Sequence, residues 1–251
     1  DLLIRCRTAE GARETLDLLA SHGLRWVTMG SGSRLVPPDR PLRVPVVTVG
    51  GSLAHWELVE GAVEAGGGAG LAQLHRSITS AGVSGTPRLF GTSGTAGGAI
   101  EDALAGGEIA LEDGEWVEVV RPGAGPHEYR HLGAGGLESL QRTLVTRVRL
   151  SAVEHAHWEG RPVAAPPAAR TVAPLFHRVD DEPVEALLER AGCAGLFVGG
   201  ARIDAEQPNA LRTARSATAR DVHALCREVR RRVHRVSAVE LRPRVRFIDE
   251  W

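Results

Sequence analysis

The sequence predicts an α+β fold built in two parts that meet near residue 155. Short runs rich in Val, Leu and Ile alternate with segments of helical period. A composition break at Arg161 to Ala169 (RPVAAPPAA) separates the parts as an extended linker. Residues 2 to 7 predict a first strand, and Thr8 an N-cap for a helix with apolar positions at Ala12, Leu16, Leu19 and Ala20. Gly23 closes that helix. Trp26 to Met29 predict a second strand, running into the turn Gly30-Ser31-Gly32-Ser33. Residues 44 to 49 predict another strand, and Leu71 to Ala81 a helix after the GGGAG run. The nine residues Gly91 to Ala99 (GTSGTAGGA) lack any bulky side chain and read as a buried loop that cannot itself build a core. Strands are expected at Trp116 to Val120 and Leu144 to Leu150. Beyond the linker come a helix over Pro183 to Ala191 and a turn at Gly199-Gly200. An amphipathic helix over about Thr218 to His234 is expected, with Val222, Leu225, Cys226, Val229, Val233 and Val236 following the three-and-four spacing of one face. A final strand is expected over Val239 to Ile248, and no internal repeat is evident.

Composition excludes several classes. The chain has 251 residues, with 30 basic side chains against 31 acidic ones, and every basic one is arginine. Without lysine there is no Schiff base and no P-loop lysine, so pyridoxal enzymes and Walker-type NTPases are out. A net charge of -1 exerts no long-range pull on nucleic acid or anionic lipid, and no run is long enough for a membrane span. Cys6, Cys193 and Cys226 are an odd, scattered set, which argues against a disulfide framework or zinc site and fits a reducing cytoplasm. His155 and His157 have metal-like spacing but no third ligand, so a surface strand is expected there. Arg230 to Arg232 lie on the polar face of the last helix with Glu228 and read as a solvated face. The chain opens at Asp1 inside a strand, and some N-terminal sequence is expected to be missing.

Two segments carry chemistry. In the Gly30–Ser33 turn, backbone amides freed by small residues can form a nest for a pyrophosphate, and the serine hydroxyls can donate too. Leu35-Val36-Pro37-Pro38 forbids a helix after it, so it is no dinucleotide fingerprint of the GxGxxG kind. The glycine-rich segment at 91–99 lets a flat ligand or a phosphate lie on backbone.

Together these loops resemble the UDP-N-acetylenolpyruvoylglucosamine reductase (MurB) family. That family's LGxGSN turn is similar to Met29 to Arg34 (MGSGSR), and its GLSG and PGTxGGA signatures to Gly82 to Gly85 and Ser93 to Ala99. Its YR pair is matched by Tyr129-Arg130, and its AGLKGxxxGGAxxS by Ala191 to Asp204. Asn209 falls at the asparagine of HANF, Ala217 to Val222 resemble AT-x-x-DV, and Leu241 to Ile248 resemble LEPEVRFI. The resemblance implies an FAD-binding domain of the PCMH/VAO type over 1–154 and a substrate domain over 155–251. It implies FAD contacts from Met29, Gly30, Ser31, Gly32, Ser33, Arg34, Ser93, Gly94, Thr95, Gly97, Gly98, Ala99 and Ile109. Tyr129, Arg178 and Asn209 are implied to bind substrate, a small and anionic molecule. It also implies NADPH as reductant, with a serine acid, an arginine and a glutamate completing the reaction.

The catalytic positions depart from that pattern. Arg130 keeps the arginine. The serine of GSxFKN falls on Pro174, which has no proton to give, and Lys-Asn become His177-Arg178. The glutamate of LEPEV is Arg244. The family's YRxSxF serine is also lost, since Leu132 stands in its place; Arg34 replaces an asparagine, and the N-terminal TTFRVGG is absent. Arg130, His177 and Arg244 are therefore the candidate catalytic residues, with Thr171 or His177 as replacement acid if the alignment slips. Arg130 and Arg244 beside a flavin would form a positive site suited to an anionic ligand or a reduced flavin. The leading expectation is an FAD-dependent oxidoreductase of diverged chemistry, in specialised or cell-envelope metabolism. The alternatives are the genuine reductase of peptidoglycan synthesis and a non-catalytic binding protein.

Overall fold

The computed structural model describes residues 2–85, 94–105, 111, 114–130, 143–151, 153–154, 171–177, 179 and 182–248. The chain divides into two compact units, residues 1–33 with 43–165 and residues 34–42 with 166–251. The α+β class is as expected. A single cut near 155 does not capture the division, because residues 34–42 cluster with the C-terminal unit.

The first unit opens with β1 (Leu3–Cys6) and α1 (Ala9–Ser21). The Thr8 side chain caps α1 by accepting from the Gly11 amide. After β2 (Val27–Thr28) the chain leaves this unit for β3 (Leu35–Val36) and returns at β4 (Val46–Val49). Strands β1 and β2 pair parallel on either side of β4. A hairpin that sequence patterning missed follows, β5 (Trp56–Val59) and β6 (Ala62–Gly66). Its two-residue turn is Glu60-Gly61, both at positive φ, the backbone state usually signalled by Asn-Gly. Next come α2 (Leu71–Ser80), β7 (Val83–Gly85) and α3 (Ala96–Ala105). β8 (Trp116–Arg121), β9 (Ala124–Tyr129), β10 (Leu144–Ser151) and β11 (Val153–Glu154) complete the unit. The main sheet is antiparallel in the order β5-β6-β10-β8-β9. Pro126 is tolerated because β9 lies at its edge.

The expectation that residues 91–99 cannot build a core is overturned. Ala96, Ala99, Ile100 and Ala103 of α3 pack with Leu71, Leu74 and Ile78 of α2 on Val63, Val117, Val119 and Val148 of the sheet. Small residues build this core by bringing backbones together. A Cβ on Gly97 would stand 3.0 Å from the Gly67 carbonyl oxygen and 3.1 Å from the Val145 Cβ. The opposite face of the sheet is charged: Arg147 and Arg149 both reach Glu64, and Arg147 lies over the Trp116 ring.

The second unit contains β12 (Thr171–Val172), α4 (Val184–Arg190), β13 (Phe197–Val198), β14 (Ala201–Ile203), β15 (Leu211–Thr213), α5 (Ala219–Ser237) and β16 (Arg246–Phe247). Its sheet runs β12-β15-β14-β13, and α4 and α5 bury their apolar faces with it. Leu225 is fully buried, which is worth about 1.5–3 kcal/mol. At the start of α5, Thr218 and Asp221 form a reciprocal capping box, and Asp39 accepts from the Ala219 and Arg220 amides. α5 ends at Ser237, about one turn past Val233, and its cap Ala238 is left-handed with φ 57°; Val236, expected on the apolar face, is exposed.

The expected strand over Val239 to Ile248 is corrected to β16 and one isolated bridge, Phe176 to Pro243. Pro243 has no amide, and the amides after it turn to different neighbours. Arg244 donates to Leu175, whereas Arg246 donates to Arg34 and Ile248 to Val36. The proposed linker at 161–169 and His155 and His157 lie outside the described residues. No described helix is long and apolar enough to cross a membrane, and no metal-binding cluster occurs among the described residues.

All three cysteines are buried as free thiols, and burial raises each thiol pKa, that of Cys226 to about 12. They should resist a thiol reagent at pH 8 in the native protein and react fully after denaturation. Raised folded-state values also fix a sign. Their stabilisation is complete below the ordinary thiol value of 9.0 and is lost as pH climbs toward about 12. Alkaline unfolding monitored from pH 8 to 12 checks this.

Candidate functional site

The first cluster lies in the first unit, where β2 ends. The Met29 amide donates to Val47 as the last rung beside β4, and the chain then turns through Gly30 to Ser33. Gly32 takes φ 75°, a left-handed state that favours glycine. Gly94, at φ 121°, comes against this turn: a Cβ there would lie 3.1 Å from Ser33 Oγ and 3.6 Å from Ser31 Oγ. A Cβ on Gly30 would lie only 2.2 Å from Thr95 Oγ1. The two glycine loops therefore meet in space, and each needs the other's missing side chain.

What they offer a ligand differs. No acceptor among the described residues takes the amides of Gly30 to Ser33, which leaves them for a ligand, in the same turn as the Ser31 and Ser33 hydroxyls and against the Thr95 hydroxyl. The amides after Thr95 are already engaged. Ala96 donates to Ala69, Gly97 to Gly67 and Ala99 to Thr95, while Gly98 approaches Thr95 Oγ1. Gly97, Gly98 and Ala99 thus seat α3, and the second loop contributes Gly94, the Thr95 hydroxyl and open space. Ser93 and Ile109 lie outside the described residues.

Tyr129 and Arg130 close β9. The Tyr129 ring packs edge-on against His127 and on the core of this unit. Arg130 is exposed and forms an ion pair with Glu128 at 2.8 Å. That geometry leaves its guanidinium at the surface with a local counter-charge, a pair of small net worth in water. His131 lies outside the described residues.

The second cluster is in the other unit. After β12 the Ala173–Pro174 bond is cis, and Pro174 cannot donate to the ladder with β15. Leu175, Phe176 and His177 then run between two partners. On one side the Arg244 amide donates to the Leu175 carbonyl at 2.8 Å and the His177 amide donates to Arg242 at 2.9 Å. On the other, Asn209 engages Leu175 and Phe176. The backbone thus brings together Pro174, His177, Arg244 and Asn209, four of the positions singled out in sequence. His177 and Asn209 are each 8% exposed and Arg244 only 7%. A guanidinium so covered remains a full positive charge, and its surroundings screen it less than water would. Arg34 enters this unit through its carbonyl, which accepts from the Arg246 amide. Arg178 lies outside the described residues.

Asp204, which the sequence reading missed as a site-shaping residue, builds the turn that holds Asn209. Burial opposes its ionisation, but the Gln207 and Glu206 amides and the Arg212 guanidinium hold its carboxyl below the usual range. The signal was present as a lone Asp between two apolar strands, in the pattern of an Asx turn.

Comparison with known proteins adds a frame to this geometry. Residues 165–248 match the family model described as UDP-N-acetylenolpyruvoylglucosamine reductase, C-terminal domain. The chain is 26% identical over 276 residues to the UDP-N-acetylenolpyruvoylglucosamine reductase of Bacillus velezensis, covering 99% of this chain and 88% of that one. It is 29% identical to the protein of the same name from Sphingopyxis alaskensis, covering 86% of this chain and 77% of that one. In fold it is similar to the crystal structure of UDP-N-acetylenolpyruvylglucosamine reductase (MurB) from Thermus caldophilus. That match has a TM-score of 0.68 at 22% identity and covers 98% of this chain and 91% of the other.

Proposed function

Because the chain belongs to the UDP-N-acetylenolpyruvoylglucosamine reductase family, we propose that it is an FAD-binding oxidoreductase whose chemistry has diverged from the family reduction. The flavin-binding role falls to the first unit and the substrate role to the second. The residues present fit the cofactor: two glycine-containing turns meet, with the Gly30 to Ser33 amides unclaimed among the described residues and three hydroxyls beside them. Gly30 to Ser33, with Gly94 and the Thr95 hydroxyl against them, are the residues that would hold the pyrophosphate of FAD. Bound FAD would supply hydride transfer, NADPH being the reductant for the family reaction.

The chain's own residues then decide which reaction follows. The observation that carries the diverged reading is the pairing of Leu175 with Arg244 directly after Pro174. At those positions there is neither a hydroxyl to release a proton nor a carboxylate to accept one. Arg244 instead holds a positive charge, which orients an anionic group and favours electron-rich forms of whatever it faces. His177 is the titratable group on the same segment, and its imidazole takes the role of moving a proton at a ring nitrogen. In the first unit, Arg130 could take an anionic group in place of Glu128. The substrate is small and anionic, or a nucleotide sugar, and the direction of reaction extends to oxidation or dehydrogenation.

Purification and turnover test this. The protein should release FAD on denaturation, and Gly30→Val should lower FAD affinity by about 30-fold or more, since its side chain would collide with Thr95 and part the two loops. NADPH oxidation with UDP-N-acetylenolpyruvoylglucosamine should fall at least about 100-fold below that of the Bacillus velezensis relative, the scale of a missing general acid. Comparable turnover would establish the genuine reductase instead. Protein that takes up no flavin would establish a binding protein on this fold.

A further inference from the structure

We propose that Asn209 is a positioning residue, setting Pro174, His177 and Arg244 in place from behind rather than contacting the ligand. The inference rests on the reading of the 174–177 and Arg244 edge as the reaction edge. Its basis is the set of hydrogen bonds made by the Leu175, Phe176 and His177 amides and the Leu175 and Phe176 carbonyls. Pro174 interrupts the β12–β15 ladder because it has no amide. From there Asn209 takes over as the partner strand. Its carbonyl accepts from the Leu175 amide at 2.7 Å, and its side-chain Oδ1 accepts from the same amide at 3.2 Å and from the Phe176 amide at 2.9 Å. Its Nδ2 donates to the Phe176 carbonyl at 3.4 Å. From the other side, the Leu175 carbonyl accepts from the Arg244 amide and the His177 amide donates to the Arg242 carbonyl.

Every amide of Leu175, Phe176 and His177 therefore has an acceptor, and Asn209 supplies those of the first two. Buried backbone groups must be satisfied somewhere, so the segment has one low-energy path. Phe176 and Leu175 are themselves fully buried, which fixes their side chains. Asn209 is in turn locked by its own hairpin turn. The Asp204 amide donates to Ala210 and the Ala210 amide to Gln207, with Asp204 Oδ1 accepting from Glu206 and Gln207. A side chain whose oxygen accepts two amides and whose nitrogen donates to a carbonyl has little left for a ligand. Rigid support of this kind is what holds reacting groups to sub-ångström tolerance.

The amide makes the role testable, because aspartate copies only half of it. In Asn209→Asp, one carboxylate oxygen still accepts from Leu175 and Phe176, but the other faces the Phe176 carbonyl oxygen. Repulsion there is relieved only when the carboxyl is protonated and donates as the asparagine did. The variant should therefore match the wild type at pH 5 and loosen by pH 8. The readout is the His177 ring resonance in histidine-labelled protein, identified with His177→Gln. It should coincide with wild type at pH 5 and depart from the wild-type titration by pH 8, while the His22 resonance follows wild type throughout. On FAD-loaded protein, the rate of flavin reduction by NADPH should show the same pH-dependent split, about tenfold at pH 8 for one lost hydrogen bond.

A lowered melting temperature with His177 and flavin reduction both tracking wild type would make Asn209 merely structural and overturn the proposal. If wild type takes up no flavin, the functional reading fails, and the His177 resonance still decides the clamp. Should the variant not fold, amide exchange in the wild type decides it. The Leu175 and Phe176 amides should exchange as slowly as that of Ile203 within the sheet, and fast exchange would overturn the clamp.

Discussion

Gly67→Ala is expected to destabilise the first unit by about 3 kcal/mol or more, at the upper end of overpacking effects. A Cβ at Gly67 would stand 2.0 Å from the Val145 carbonyl oxygen and 2.9 Å from its carbonyl carbon. Those atoms are backbone of β10, the middle strand of the sheet, and cannot swing aside as a side chain would. The Gly67 carbonyl also receives the Gly97 amide, and its amide donates to Thr146, so any shift propagates into α3 and β10 together. Domain stabilities are typically about 5–15 kcal/mol, so the loss is a large share of the whole. Gly70→Ala supplies the contrast. It lies in the same glycine run with nothing within 4 Å of its Cβ, and it should change stability by less than about 1 kcal/mol. Urea unfolding of both variants separates the two cases. Equal effects would mean that the run serves as a flexible hinge and not as a packing surface.

The glycine run also marks the boundary of what the sequence makes legible. Helices α1 and α5 are readable because a Thr cap precedes an apolar face of clear period. The β5–β6 hairpin is hidden because its turn is Glu60-Gly61, and a glutamate at positive φ gives no local signal. Helix α3 is hidden for a physical reason: its buried face is mostly alanine and glycine, so it has helical geometry without an apolar stripe. The passage of residues 34–42 into the other unit rests on two strand residues, Leu35 and Val36, and on Asp39 at the start of α5. None of these carries a periodic pattern. At the candidate site, motif order locates the glycine loops and the Pro174, Arg244 and Asn209 positions. It does not reveal that Gly97 to Ala99 spend their amides on α3, or that Arg130 is paired at the surface. Those are facts of hydrogen-bond partners, which depend on residues far away in the chain.

Arg244→Glu should reverse the charge of the substrate edge and shift its ligand preference. Arg244 is 7% exposed and its backbone is fixed opposite Leu175, so the replacement carboxylate starts from the same point of the edge. Affinity for UDP-N-acetylenolpyruvoylglucosamine or inorganic pyrophosphate should fall by about 30-fold or more, corresponding to about 2 kcal/mol for a severed buried charge contact. Arg244→Gln, which removes the charge without inverting it, should fall between the two and guards against a variant that fails to fold. If this edge acts on the flavin, the reduction potential should also drop, because negative charge disfavours electron-rich states. Neither substitution restores a proton source, since Pro174 remains. The double variant Pro174→Ser with Arg244→Glu returns a hydroxyl and a carboxylate to one backbone pairing. It should raise NADPH oxidation with the enolpyruvyl nucleotide sugar by about 100-fold over Arg244→Glu alone, the usual yield of a placed general acid. If affinity, potential and turnover all stay at wild-type values in these variants, Arg244 does not face the ligand, and the altered charge of this edge has no bearing on the reaction.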